Sequence, residues 1–265
     1  MKRQILFTLL LFLVLVLFSL FLFNKKDVEN DIRIEVCEDI TSGRLKVVCY
    51  GMFLKNHTFC SLAQDFSSYC YDSVFPLIDL NETFCESLDD AYAKLSCFSS
   101  LAFKSRNGEL CELLKDSTLI DICYTRLVEH LSYFDDPSFC NKIPHESTRF
   151  ICLARITDDI NFCSNITQEI EERSMCLGIL TKNVSYCTIK PTGTLSRIVI
   201  YSCIRSVATD LGDISLCDRI DYEEEKWKCK TSLSESIDIC DEAWGPWKDF
   251  CKVEYIKNNI FAEKS

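Results

Sequence analysis

Eighteen cysteines dominate what this chain could do chemically: Cys37, Cys49, Cys60, Cys70, Cys85, Cys97, Cys111, Cys123, Cys140, Cys152, Cys163, Cys176, Cys187, Cys203, Cys217, Cys229, Cys240 and Cys251. Thiols can bind metal, exchange electrons or cross-link. Structural zinc is held by cysteine pairs two to four residues apart, yet the closest two here, Cys60 and Cys70, are ten apart. Metal is therefore not expected, and the absence of a C-x-x-C pair argues equally against a thioredoxin-type centre. Paired in order, the cysteines are separated by 12, 10, 12, 12, 12, 13, 16, 12 and 11 residues, whereas the gaps between pairs run from 11 to 17. The tighter distribution belongs to the pairs, and pairing across the gaps would leave Cys37 and Cys251 without partners. Nine local disulfides are the economical expectation, although a cysteine count does not by itself fix connectivity. The two outlying spacings, Cys60 with Cys70 and Cys187 with Cys203, leave room for a labile pair.

Little else suggests catalysis. His57, His130 and His145 are far apart in sequence, and no nucleophile elbow, phosphate loop or H-E-x-x-H helix is present. The acidic clusters Asp89-Asp90, Asp135-Asp136, Asp158-Asp159 and Glu223-Glu224-Glu225 lack the alternating spacing of a calcium loop. They fall where helices should start and favour the helix dipole there. No catalytic residue, metal ligand or cofactor is expected.

These cysteines are a ruler for nine loose repeats of 23 to 30 residues. An apolar residue precedes every first cysteine: Val36, Phe59, Phe84, Leu110, Phe139, Phe162, Tyr186, Leu216 and Ile239. Four residues before it stand Asn56, Asn81, Asn107, Asp136, Asp159, Asn183 and Asp213, with Ser236 in an eighth repeat, all residues whose side chains cap helix starts. Four residues after the second cysteine an apolar side chain returns in all nine repeats, on the same helical face. A basic residue three before it, as in Lys46, Arg149 and Lys248, is expected to lie along the seam with its charge in water. Each repeat thus reads as a short capped helix, a turn and a longer helix, an αα-hairpin. One such hairpin cannot bury its apolar face alone, but stacked neighbours can share a core. The expected fold is all-α, an α-solenoid of about nine disulfide-stapled hairpins forming a curved rod on the order of 80 Å long at 8 to 10 Å between helices. Trp244 and Trp247, either side of Gly245-Pro246, should cap its open end, and the segment Ile189 to Thr194 should bulge from the seventh hairpin.

Ahead of the repeats, residues 5–23 are apolar except for Thr8 and Ser19, and as a helix they span about 28 Å, the thickness of a bilayer core. Small residues at a cleavage spacing are missing, which favours an uncleaved signal-anchor over a cleaved signal peptide. Lys2 and Arg3 balance Lys25 and Lys26, so charge does not orient it. The cysteines do: disulfides persist in oxidising compartments, so nine of them place the N-terminus in the cytoplasm and the body outside. The organisation expected is cytoplasmic residues 1–4, anchor 5–23, juxtamembrane linker 24–32, repeat domain 33–257 and tail 258–265. Sequons at Asn56, Asn81, Asn165 and Asn183 suit that compartment, although three of the four occupy the capping slot that Asp fills elsewhere.

Composition closes off other classes. With 265 residues, 48% of them apolar, and only 7 Gly and 5 Pro, the chain is neither disordered nor collagen-like. Its 29 basic and 40 acidic residues give a net charge of −11; the first 26 residues carry +4, so the remainder carries −15. Such a body repels phosphate backbones, and no nucleic-acid partner is expected.

This repeat resembles the cysteine-rich helical repeats of uncharacterised membrane-anchored proteins of archaeal type over residues 33 to about 257, a resemblance that implies no activity. It is similar in architecture to tetratricopeptide solenoids, but the period departs from 34 and the Trp, Gly and Ala signature is missing. The functional expectation is a non-catalytic, membrane-tethered extracytoplasmic scaffold for a protein, peptide or glycan. A thiol-redox or accessory component of envelope protein folding, and a structural envelope protein without a specific partner, are the alternatives.

Overall fold

In a computed structural model of the chain, the structure describes residues 34–129, 137–167, 169–188 and 194–260. Among them all regular structure is helical, and no strand occurs. The proposed anchor 5–23, His130, Asp135-Asp136 and the bulge at 189–193 lie outside the described residues.

Nine hairpins follow the cysteine ruler, each closed by one disulfide: Cys37–Cys49, Cys60–Cys70, Cys85–Cys97, Cys111–Cys123, Cys140–Cys152, Cys163–Cys176, Cys187–Cys203, Cys217–Cys229 and Cys240–Cys251. The paired Cα atoms lie 5.2 to 5.7 Å apart, so the two segments touch at the bridge. Under the chain-entropy model, closing a loop of this size stabilises by about 3 kcal/mol.

Most first segments are tighter than the α-helix expected of them. His57–Leu62, Gly108–Leu114, Pro137–Lys142, Val184–Thr188, Ile214–Arg219 and Ile237–Glu242 are 3-10 helices. Glu82–Ser87 and Asn161–Ser164 are α-helical, as are residues 34–38. Three residues per turn place the cysteine and the residue three after it on one face. Ile40, Ala63, Ile143, Ile166, Ile220 and Ala243 hold that place and are buried. Each donates its N–H to the cysteine carbonyl at 3.1 to 3.3 Å. The caps fit the tighter turn as well, because Asn56, Asn107, Asn183, Asp213 and Ser236 accept from the N–H two residues on, as Asp159 also does ahead of its short α-helical segment. Only Asn81, which starts an α-helical segment, accepts from three on.

Hairpins are joined by a recurring two-residue link. Five second helices stop at a residue in the left-handed region: Lys55, Arg106, Asp158, Lys182 and Gly212, with φ between 50° and 63°. The next residue is the cap of the following hairpin, and its N–H returns to the carbonyl five residues back at 2.9 to 3.2 Å, as in Asn56 to Gly51 and Asn183 to Gly178. This is the Schellman arrangement. Running a stop signal directly into a start signal fixes the angle at which successive hairpins leave and enter.

Beside the disulfides runs a second, polar fastening. The residue after the first cysteine is acidic in several hairpins, and side chains of the second helix reach it: Lys46 and Tyr50 to Glu38, Tyr124 to Glu112, Lys230 to Asp218 and Lys248 to Asp241. Two of the basic residues three before the second cysteine, Lys46 and Lys248, are thus bound to acids of their own hairpin, and Arg149 donates to the Ile143 carbonyl at 3.1 Å.

Each hairpin packs on the next, and the second helices lie on the inner side of the curve. Arg126 of the fourth hairpin donates to both oxygens of Asp72 in the second, at 2.6 and 3.1 Å, passing Ser96 of the third. Side chains two hairpins apart meet only on a concave face. The curve then closes. Helix Pro246–Tyr255 of the ninth hairpin packs on helix Gly43–Leu54 of the first. Asp249 Oδ2 accepts from Thr41 N, Thr41 Oγ1 and Ser42 N at 3.1, 2.6 and 2.8 Å. Trp227, Phe250, Val253 and Ile256 share one core with Val48, Met52 and Val74. The open rod with two free ends expected from the repeat count is thereby corrected: curvature accumulated over nine hairpins brings the last beside the first. Trp247 lies at this junction, edge-on to Phe250 at 6.0 Å, whereas Trp244 caps nothing and is exposed. Two further cores cover hairpins two to six and seven to eight, with Tyr71, Ile78 and Met175 bridging between cores.

Contacts between hairpins are close enough to demand small residues. A Cβ on Gly178 would lie 2.7 Å from Cys203 Sγ and 3.0 Å from Cys187 Sγ, since helix Ile170–Thr181 packs directly on the disulfide of the next hairpin. Gly178→Ala should cost about 1 to 3 kcal/mol by overpacking, read by urea denaturation with disulfides intact. Asp249→Ala removes a charged acceptor of three hydrogen bonds and should cost about 1 to 3 kcal/mol. Burial alone would raise the Asp249 pKa, but those hydrogen bonds override it and hold the carboxyl below its usual range. The contribution is therefore present above the ordinary carboxylate pKa and lost as pH falls through the depressed one, so wild type and Asp249→Ala should converge in stability only in strong acid.

Candidate functional site

All eighteen cysteines are bonded, and none is more than 2% exposed. The two pairs of unusual spacing are buried like the rest. Thiol–disulfide exchange needs in-line access of an attacking thiolate to sulfur, and the fold denies it at every bridge. The cysteines form a frame.

The four sequon asparagines divide by position. Asn56 is half-buried and Asn81 and Asn183 are exposed, all at the joints between hairpins. In each the side-chain oxygen accepts the capping bond. A glycan would attach to the nitrogen, so capping and glycosylation are chemically compatible, and the two readings of these residues do not compete. Asn165 follows helix Asn161–Ser164 as its C-terminal cap and is exposed on the turn side of the sixth hairpin.

Titratable groups collect on the inner side of the curve. Glu254 is 1% exposed; burial would raise its pKa, but the Lys257 ammonium at 3.0 Å overrides this and holds the carboxyl below its usual range. Beside it the Tyr69 hydroxyl is buried without a hydrogen-bond partner, and burial together with the Glu254 charge pushes it well above the usual phenol range. The Tyr69 ring carries Phe250 at 5.4 Å and the Lys257 ammonium at 5.1 Å. Lys228 sits between Glu224 and Glu225 at 2.7 and 2.8 Å, and their charges raise it despite its burial. Glu225 also binds Arg205 at 3.0 Å. Tyr201, pushed up to about 12 by burial and by its bond to Asp221, continues the row. Arg205 with Glu225 and Tyr201 with Asp221 join the seventh hairpin to the eighth, whereas the Lys228 and Lys257 pairs lie within their own hairpins.

One arrangement has the order hydroxyl, imidazole, carboxylate. Thr148 Oγ1 lies 3.3 Å from His145 Nδ1, and His145 Nε2 lies 3.3 Å from Glu169 Oε1. Its local setting explains it without chemistry: His145 caps helix Glu146–Thr157, Thr148 is on its first turn, and Ser147 also donates to Glu169, fastening hairpin five to hairpin six. His57 is held between the rings of Phe75 and Phe84, 5.9 and 5.1 Å away. Among the described residues no cluster of His, Cys, Asp or Glu could hold a metal ion, and no helix is long and apolar enough to cross a membrane.

The features that sequence reasoning missed are polar: the Asp249 closure and the acid after the first cysteine. Five hairpins show that acid (Glu38, Glu86, Glu112, Asp218 and Asp241), a periodic signal weaker than the caps, which eight repeats carry. Asp249 has no such signal, because its partners are 207 and 208 residues away.

Comparison with known protein families, curated proteins and solved structures finds no match to this chain. What the fold defines is a class, an all-helical repeat protein stapled hairpin by hairpin with nine disulfides. Removing one staple by the double substitution Cys85→Ala and Cys97→Ala should cost about 2 to 4 kcal/mol. The unsubstituted chain should take up no maleimide under native conditions, and eighteen equivalents after denaturation with reductant, counted by intact mass.

Proposed function

We propose that this protein is a non-catalytic, membrane-tethered scaffold of the α-solenoid kind. Residues 5–23 anchor it with the N-terminus in the cytoplasm, and the repeat body lies outside, where it binds a protein, peptide or glycan. The observation that carries this reading is the complete pairing and burial of eighteen cysteines. A frame of that kind matures only where thiols are oxidised, and buried bridges serve stability better than exchange. The apolar run ahead of the first hairpin and the exposed sequon residues Asn81, Asn165 and Asn183 support the same placement. The titratable groups described above pair with one another within and between hairpins, which favours a binding surface over a reaction centre.

Intact cells expressing the full chain, treated with a membrane-impermeant amine-reactive biotin, test the placement. Lys55, Lys115 and Lys182 are exposed and should be labelled without permeabilisation, while Lys2 should be labelled only after it. Body lysines labelled only after permeabilisation, together with free thiols in the alkylated protein, would overturn the reading.

A further inference from the structure

The closed array has two unlike edges. One carries the joints between hairpins, with the caps Asn56, Asn107, Asn183 and Asp213. The other carries the turns inside hairpins, and contacts along it, such as Arg44 with Asp65, Ser147 with Glu169, Tyr201 with Asp221 and Thr41 with Asp249, hold those turns side by side.

We propose that the turn edge is a docking surface for a cationic segment of a partner protein that also bears aliphatic or aromatic side chains. Two properties separate it from the joint edge. First, the four most exposed large apolar side chains of the described residues all belong to it: Trp244 at 67%, Ile170 at 64%, Leu62 at 62% and Tyr92 at 56%. Ile198 and Tyr222 extend the series, so that hairpins two, three, six, seven, eight and nine each present one. The joint edge has fewer and less exposed ones, Leu54 and Leu211 among them. Second, the charge is segregated. Between each first cysteine and the residue four before the second, the nine hairpins hold 19 acidic and 6 basic residues, a net of −13. One position further on, Lys46, Lys94, Arg149, Arg173, Lys226 and Lys248 add six cations, so the turn edge together with the first turn of the second helices carries −7, about half of the −15 found beyond residue 26. Of the five left-handed positions of the joint edge, three are cations, Lys55, Arg106 and Lys182, and one is the acid Asp158, whereas the turn edge has one left-handed cation, Lys115.

Apolar side chains spaced around an acidic rim select a partner by two terms at once. Desolvation of the apolar points supplies affinity, and the surrounding carboxylates supply steering and charge complementarity. A second copy of this chain is disfavoured, because two such edges would repel. The orientation rests on the tether proposed above: residue 34 enters at the joint edge, so an anchor at 5–23 attaches there and the turn edge faces away from the bilayer. Three of the four sequons lie on the joint edge, and only Asn165 would set a glycan on the turn side.

The test uses the full oxidised chain in phosphatidylcholine nanodiscs, with empty discs as the blank, and three fluorescein-labelled 15-residue peptides: alternating Lys and Leu, Lys and Ser, and Glu and Leu. Only the Lys and Leu peptide should bind. Its affinity should fall about tenfold or more between 50 and 300 mM salt, and by about tenfold or more in Tyr92→Ser, Ile170→Ser, Trp244→Ser combined. Leu54→Ser with Leu211→Ser, on the joint edge, should leave it unchanged. All three apolar sites of the test variant are exposed, and an unchanged disulfide map and thermal transition verify its fold. No binding, equal binding of the Lys and Ser or Glu and Leu peptides, equal loss in both variants, or a dimer of the chain abolished by the turn-edge variant would each overturn the proposal. Because the probe is read on purified protein, these outcomes are independent of the cell-labelling result, which alone decides the tether.

Discussion

A covalent bridge at the waist of a hairpin too small to fold alone is the constraint from which the rest follows. Each hairpin has one short turn of 3-10 or α-helix and one helix of 8 to 18 residues. Isolated helices of that length are marginal in water. The bridge removes loop-closure entropy before any neighbour arrives, and the buried sulfur pair then becomes packing surface. Gly178 shows how literally: the next hairpin's disulfide occupies the space a methyl group would need. Cross-link and core are here the same atoms, which is how 3-10 segments of five to seven residues can carry a fold.

The cysteine frame, the caps and the all-helical class were legible because each is local and repeated nine times, so that chance agreement is averaged out. Three things were not. The 3-10 or α character of the first segments is not set by the cap residue alone: Asn56 bonds two residues on and Asn81 three with the same side chain, and Asp159 bonds two on ahead of an α-helical turn. The left-handed stops at Lys55, Arg106 and Lys182 use residues with no conformational preference for it; of the five, only Gly212 announces itself. Closure is the third. It depends on the summed rotation of nine joints, and its chief polar contact joins Asp249 to Thr41 without any periodic signal. The titratable row on the inner side escaped for a related reason, since Arg126 and Asp72 meet only because the curve brings alternate hairpins together.

Those same joints organise the surface. Carboxylates stand in the first turn or at the cap of six second helices, those of hairpins three, four, five, six, eight and nine, where they favour the helix dipole, and because these starts lie along one edge a local preference becomes a longer-range field. The other edge receives the helix ends, with their cations. Charge asymmetry therefore comes at no conformational cost, and under the tether proposed above it acquires a direction relative to a membrane.

The closure between hairpins nine and one changes the statistics of unfolding. In an open array of repeats, stability is a chain of nearest-neighbour couplings, and terminal units, each missing one neighbour, fray first. Here the terminal units are each other's neighbour. A loss of structure must begin by breaking two interfaces somewhere in the circuit, and each opening leaves hairpins that remain covalently pinned. Proteases act on transiently opened segments; a circuit without free terminal hairpins offers them few.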